Sequence, residues 1–97
     1  MSDDSEQLAV LGLEPVFTAQ DAAVLLERSY SWLDKHVRHA DFARSDGTVV
    51  EPLRTEAGYR LFTLPMLRDI VFCCYRKSWY SFVELQSTLR RLARAAE

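Results

Sequence analysis

The stretch from Phe17 to Ala40, FTAQDAAVLLERSYSWLDKHVRHA, restricts this chain more than any other, because it holds two helix starts close together. Thr18 is placed to cap a first helix, with Asp21 three residues on as its capping-box partner and Ala22, Ala23, Leu25 and Leu26 as the buried side. ERSY then breaks the pattern, and Ser29 caps a second helix whose inward stripe is Leu33, Val37 and Ala40 or Phe42. Two short helices joined by about three residues carry the signature of a helix-turn-helix.

The rest of the chain supplies the partners. Asp46-Gly47 is a turn signal, TVVEPLR has the β-branched content of a strand, TEAG forms a hairpin tip and YRLFT returns. Pro52 forfeits a ladder donor, so the first strand is expected to be short or at an edge. A two-stranded hairpin is marginal alone and leans on helices. Thr63 caps a third helix with Pro65 in its first turn. Leu67, Ile70, Val71 and Cys74 follow helical spacing, but Met66, Phe72, Cys73 and Tyr75 make this helix apolar nearly all round, suited to the core or to an interface. A last helix opens with the capping box of Ser81 and Glu84 and lines one face with Phe82, Leu85, Leu89, Leu92 and Ala96, while Arg90, Arg91 and Arg94 lie off that face. The expected order is helix, helix, hairpin, helix, helix: mainly α with a small β-hairpin. Residues 1–14 form an N-terminal acidic and apolar segment, and residues 15–97 the domain proper.

With 97 residues the chain makes one domain, and 48% apolar with 27% charged residues reads as globular. No apolar run approaches the roughly 20 residues that cross a bilayer, and the acidic start MSDDSEQ lacks the basic region of a secretory signal, so a cytoplasmic protein with no membrane partner is expected. The adjacent Cys73 and Cys74 are read as packed, reduced thiols, and the distant His36 and His39 make a zinc site unexpected. These histidines are read as surface residues. Net charge is −2, but Asp3, Asp4, Glu6 and Glu14 precede the first base, which leaves the remainder of the chain at +2. From Arg54 onward eight basic residues face four acidic ones, a balance that permits a nucleic-acid partner. No phosphate-binding glycine loop, nucleophile elbow or paired metal-ligand spacing is present, so neither enzyme activity, nor a cofactor, nor a metal is expected.

The pattern Phe17, Thr18, Asp21, Ala22, Ala23, Leu25, Leu26, Ser29, Leu33 and Arg38 resembles the helix-turn-helix of MerR-type regulators and phage excisionases. RTEAGYRLFTLPML is similar to the wing of that family, with Gly58, Tyr59, Arg60, Phe62 and Thr63 in its places, and SFVELQSTLRRL resembles its fourth helix. The resemblance covers residues 17 to about 93 and implies a winged helix-turn-helix bound to double-stranded DNA. Helix two would then enter the major groove with Tyr30, Ser31, Asp34, Lys35 and Arg38 exposed. Arg54 and Arg60 would hold phosphates beside the hairpin, and the amides near Thr18 would receive another. Arg28 in the turn and Tyr59 in the returning strand complete the DNA-facing set. By packing alone Tyr59 and Trp79 are read as buried aromatics, Phe62 as core, and Trp32 as either inward-packed or laid against a sugar.

Three departures from the family are plain. The turn carries Glu27 and Arg28 where glycine and an apolar residue are usual, at the loss of one buried contact. ADFARSDGT lengthens the connection to the wing, and no dimerising coiled coil follows the fourth helix, so metal or drug sensing is not expected. Two roles compete: an excisionase, binding adjacent sites and bending DNA beside an integrase, and a compact transcriptional regulator pairing two copies on a palindrome. Homodimer or cooperative contacts are expected from the third helix, Leu8–Leu13 or SWYSF. The alternative is a protein-binding adaptor that keeps the fold without DNA affinity.

Overall fold

Two strands of this chain end in a threonine that starts a helix. The computed structural model describes residues 15–97, so the segment 1–14, with its Leu8–Leu13 patch, lies outside the described residues. Strand β1, Val16–Thr18, runs straight into helix α1, Ala19–Leu25. Thr18 Oγ1 accepts the Asp21 amide at 3.2 Å. Strand β3, Arg60–Thr63, runs equally directly into helix α3, Leu64–Arg76, where Thr63 Oγ1 accepts the Met66 amide and Pro65 stands in the first turn. Between them lie helix α2, Tyr30–Arg38, capped by Ser29 Oγ on the Trp32 amide, and strand β2, Leu53–Arg54. Helix α4, Phe82–Ala95, opens with the expected reciprocal box of Ser81 and Glu84. The Thr18 cap is one-sided: Asp21 gives its amide, and its side chain does not close the box.

The sheet has three antiparallel strands in the order β1-β3-β2. Phe17 faces Phe62, and Arg54 faces Arg60. Strand β1 was not foreseen; it turns the expected hairpin into a sheet and makes β3 its centre. β2 is shorter than TVVEPLR suggested. Pro52 has no amide to give, and the Val50 amide turns back to the Phe42 carbonyl at 2.9 Å, so only Leu53 and Arg54 enter the ladder. The Asp46-Gly47 turn forms as expected, with Asp46 Oδ1 accepting both the amide and the hydroxyl of Thr48 and Gly47 at φ +89°. Arg44 binds Asp69 at 2.9 Å and Arg76 donates to the Ala43 carbonyl, which ties this loop to α3.

Helix α3 is the central element, with Leu67, Ile70, Val71 and Cys74 buried along it. α1 contributes Ala22, Ala23 and Leu26, α2 contributes Leu33, and Phe62 enters from the sheet. On α4 the inward row is Leu85, Thr88 and Leu92; Phe82 and Ala96 are exposed, contrary to expectation. Phe82 stands in the first turn of α4 and meets Tyr75 at 6.3 Å on the rim. Both cysteines are free and buried, and burial pushes the Cys74 thiol up to about 12, which leaves it protonated and inert. Among the described residues no helix is long and apolar enough to cross a membrane.

The turn after α1 is held from α4. Glu27 takes the left-handed backbone, φ 55°, where glycine is usual. Arg91 donates to the Leu25 carbonyl at 2.9 Å and to Glu27 Oε1 at 2.7 Å, and the Tyr80 hydroxyl donates to the Leu26 carbonyl. These donors satisfy carbonyls that a seven-residue helix leaves open at its end. Arg91 is therefore a structural clamp.

Phe62→Ala, at a fully buried position, is expected to cost about 3–5 kcal/mol in urea unfolding. Ala40 also sits in the left-handed region, φ 54°, on an exposed turn after α2. Ala40→Gly should therefore stabilise by about 0.5–1 kcal/mol in the same assay; a lower midpoint would contradict the strain assigned there.

Candidate nucleic-acid interface

The hairpin between β2 and β3 closes through Thr55, whose carbonyl accepts the Gly58 amide, whose amide reaches the Tyr59 carbonyl and whose hydroxyl accepts the Tyr59 amide. Gly58 has φ +88°, a backbone that side chains resist, although the space around it is open. The tight tip lifts Tyr59 into solvent, 72% exposed. Its expected packing against the domain does not occur among the described residues.

Arg54 and Arg60 stand directly opposite each other on adjacent antiparallel strands. Side chains so placed leave the same face, and like charges there repel unless an anion intervenes. One of the two, Arg60, is neutralised by Asp34 of α2. Asp34 Oδ1 accepts from Arg60 Nη1 and its Oδ2 from Arg38 Nε at 2.9 Å, one helical turn along. The bond from Arg60, with the charge of Arg38 beside it, holds the Asp34 carboxyl below its ordinary value. Period two puts Arg60 on the face of Phe62, the side that the helices cover, and its side chain is only 15% exposed. Arg60 was expected on the surface as a phosphate ligand; in the free protein it is a tie between sheet and α2. Its Nε is buried with no hydrogen-bond partner among the described residues. Arg38 remains 60% exposed, and Arg54 is exposed, with a long 3.4 Å bond to the Gly58 carbonyl.

A groove of about 590 Å3 opens between α2, the start of α1 and the hairpin, lined by Thr18, Gln20, Tyr30, Arg54, Tyr59 and Arg60 among others. A second hollow of about 450 Å3 adjoins it, with Val37, Arg38 and Ala40 on the α2 side and Pro52, Arg54 and Arg60 opposite. Arg54 and Arg60 line both. Five of the nine expected site residues, Thr18, Tyr30, Arg54, Tyr59 and Arg60, thus border the groove, and Arg38 borders the hollow that adjoins it. Ser31 and Lys35 are exposed on α2 without lining either hollow.

Arg28 is elsewhere. Its guanidinium lies over the Tyr80 ring at 4.4 Å, donates to the Trp79 carbonyl and pairs with Glu84 at 3.3 Å. It fills the apolar place in the turn with a cation over an aromatic face and is unavailable to the cleft. His36 is also misplaced by the sequence reading. Rather than lying on the surface, it packs between Trp32 and Trp79, with centroids 4.9 and 4.6 Å away, and bonds Asp41 at 2.7 Å. Trp32 therefore packs inward, and Trp79 packs as expected. Gln20, which sequence reasoning passed over, lines the groove because β1 brings the start of α1 beside β3. Among the described residues no group of three His, Cys, Asp or Glu side chains is placed to hold a metal.

The chain belongs to the family described as a domain of unknown function, DUF7229, which matches residues 7–95. No curated protein and no solved structure matches it.

Among the described residues four carboxyls are held below their ordinary values: Asp34 by Arg60, Asp41 by His36, Asp46 by the Thr48 amide and Glu84 by the Ser81 amide. A lowered folded-state value stabilises fully above the ordinary ones, 3.8 for Asp and 4.5 for Glu, because the unfolded chain takes up protons first as pH falls. The urea midpoint should hold near neutrality and fall steadily below about pH 5. A midpoint that rose on acidification would contradict these pairings.

Proposed function

We propose that this member of an unassigned family binds double-stranded DNA as a winged helix-turn-helix, with α2 in the major groove and the β2–β3 hairpin as a wing on the adjacent backbone. The observation that carries the reading is the shared cleft, where exposed side chains of α2 border the same hollows as an arginine pair on the hairpin. Arg54 and Arg38 are the most exposed of the cleft's cations, and Lys35 is exposed elsewhere on α2. Tyr30 and Tyr59, both exposed, offer hydroxyl and ring to the backbone. Catalysis has no part in this reading.

Within it the protein serves as a recombination directionality factor or as a compact regulator, and the arrangement of sites distinguishes the two. The first binds tandem sites and bends them; the second pairs copies on a palindrome. Phe72, Tyr75 and Phe82 expose aromatic surface for contacts between copies. A cytoplasmic location follows from a DNA partner. The observation that favours the adaptor reading is Asp34, which occupies two of the cleft's arginines in the free protein.

Fluorescence anisotropy with a labelled duplex across a salt series separates the readings. Binding should weaken steeply with salt, each phosphate contact adding about −0.9 to the log-log slope. Arg54→Ala should weaken binding about tenfold on every sequence and flatten the slope by about one. Absence of binding at low salt would leave the adaptor.

A further inference from the structure

In the free protein Arg38 and Arg60 do not wait empty for a phosphate; both already hold one carboxylate. Resting on the duplex-binding reading, we propose that Asp34 occupies the place of a DNA phosphate, an internal counter-ion that the duplex must displace from Arg38 and Arg60. A carboxylate offers two acceptor oxygens in a plane, as a phosphodiester offers two non-bridging ones, and guanidinium groups accept either. Here the two oxygens are divided between two arginines from different elements. Arg54 faces Arg60 across the strands, so a third cation leaves the sheet on the same side.

Asp34 leaves the third arginine unengaged: Arg54 is exposed, and its bond to the Gly58 carbonyl is long at 3.4 Å. Arg54 therefore keeps donors that an incoming phosphate can use. The i, i+4 pair with Arg38 is largely exposed on the arginine side and is readily broken. A phosphate approaching Arg38 or Arg60 meets arginines already paired with a carboxylate, so the bare electrostatic attraction for any duplex is reduced. Affinity then depends on further contacts made by Tyr30, Ser31 and Lys35 on α2, which raises discrimination between sequences at the expense of general affinity.

Asp34→Asn keeps the shape and one acceptor oxygen while removing the charge. Its affinity for a random-sequence duplex, read by anisotropy at low salt, should rise about five- to tenfold, with a salt slope steeper by about one. Asp34→Ala should move affinity in the same direction, and circular dichroism checks that each variant is folded. Equal or weaker binding by a folded variant, while the unaltered protein binds, overturns the counter-ion role alone. Failure of every form to bind duplex overturns the underlying reading as well. In the unaltered protein the Arg38 Nε–H resonance should shift as duplex is added, because its bond to Asp34 is exchanged. A resonance that stays fixed while amides of the hairpin move would overturn the displacement without any mutant.

Discussion

The pairing of β1 with β3 fixes everything else in this molecule. Each strand passes directly into a helix through a threonine cap, so the register of Phe17 on Phe62 sets where α1 starts relative to α3. β3 also holds β2, and with it the hairpin. One four-residue strand therefore positions α1 with α2, the core helix α3 and the tip that carries Tyr59. Phe62 buries its ring at the centre of this arrangement, which joins the ladder to the hydrophobic core.

Charge is the second organising principle. Twelve basic and fourteen acidic residues leave the chain near neutrality, yet their placement is uneven. Arg28 and Arg91 brace the α1–α2 turn from beneath, Arg44 and Arg76 pin the long loop to α3, and Arg38, Arg54 and Arg60 gather at the cleft. The first four act as donors for carbonyls and carboxylates at helix and loop ends. Among the described residues the last group lines one open hollow in common, where Asp34 of α2 pairs with two of its arginines and Glu51 stands on the same lining. A sum of charges conceals this division of labour, because structural arginines and surface arginines count alike.

What the sequence made legible was local. Ser29, Thr63 with Pro65, and Ser81 with Glu84 announced three helix starts because a cap acts within three residues of itself. Pro52 announced a short edge strand for the same reason. β1 escaped because three residues, VFT, show no alternation and pair with a strand far along the chain. The Arg38–Asp34 pair is visible in spacing, whereas Arg60–Asp34 depends on where two elements meet. One clue was present and unused: Arg60 and Phe62 alternate onto the same face, so a buried Phe62 implied a partly covered Arg60. Arg28 and His36 were misread because each found aromatic neighbours, Tyr80 and Trp79, that only folding brings near.

The proposed function requires α2 and the β2–β3 hairpin to form one duplex-binding surface. Mapping backbone amide shifts during titration with a short duplex at low ionic strength tests it most directly. Shifts are expected in Tyr30–Arg38 and Arg54–Arg60, with α3 and the Arg28 turn quiet. Shifts confined to the rim of Phe72, Tyr75 and Phe82, or none anywhere, would contradict it.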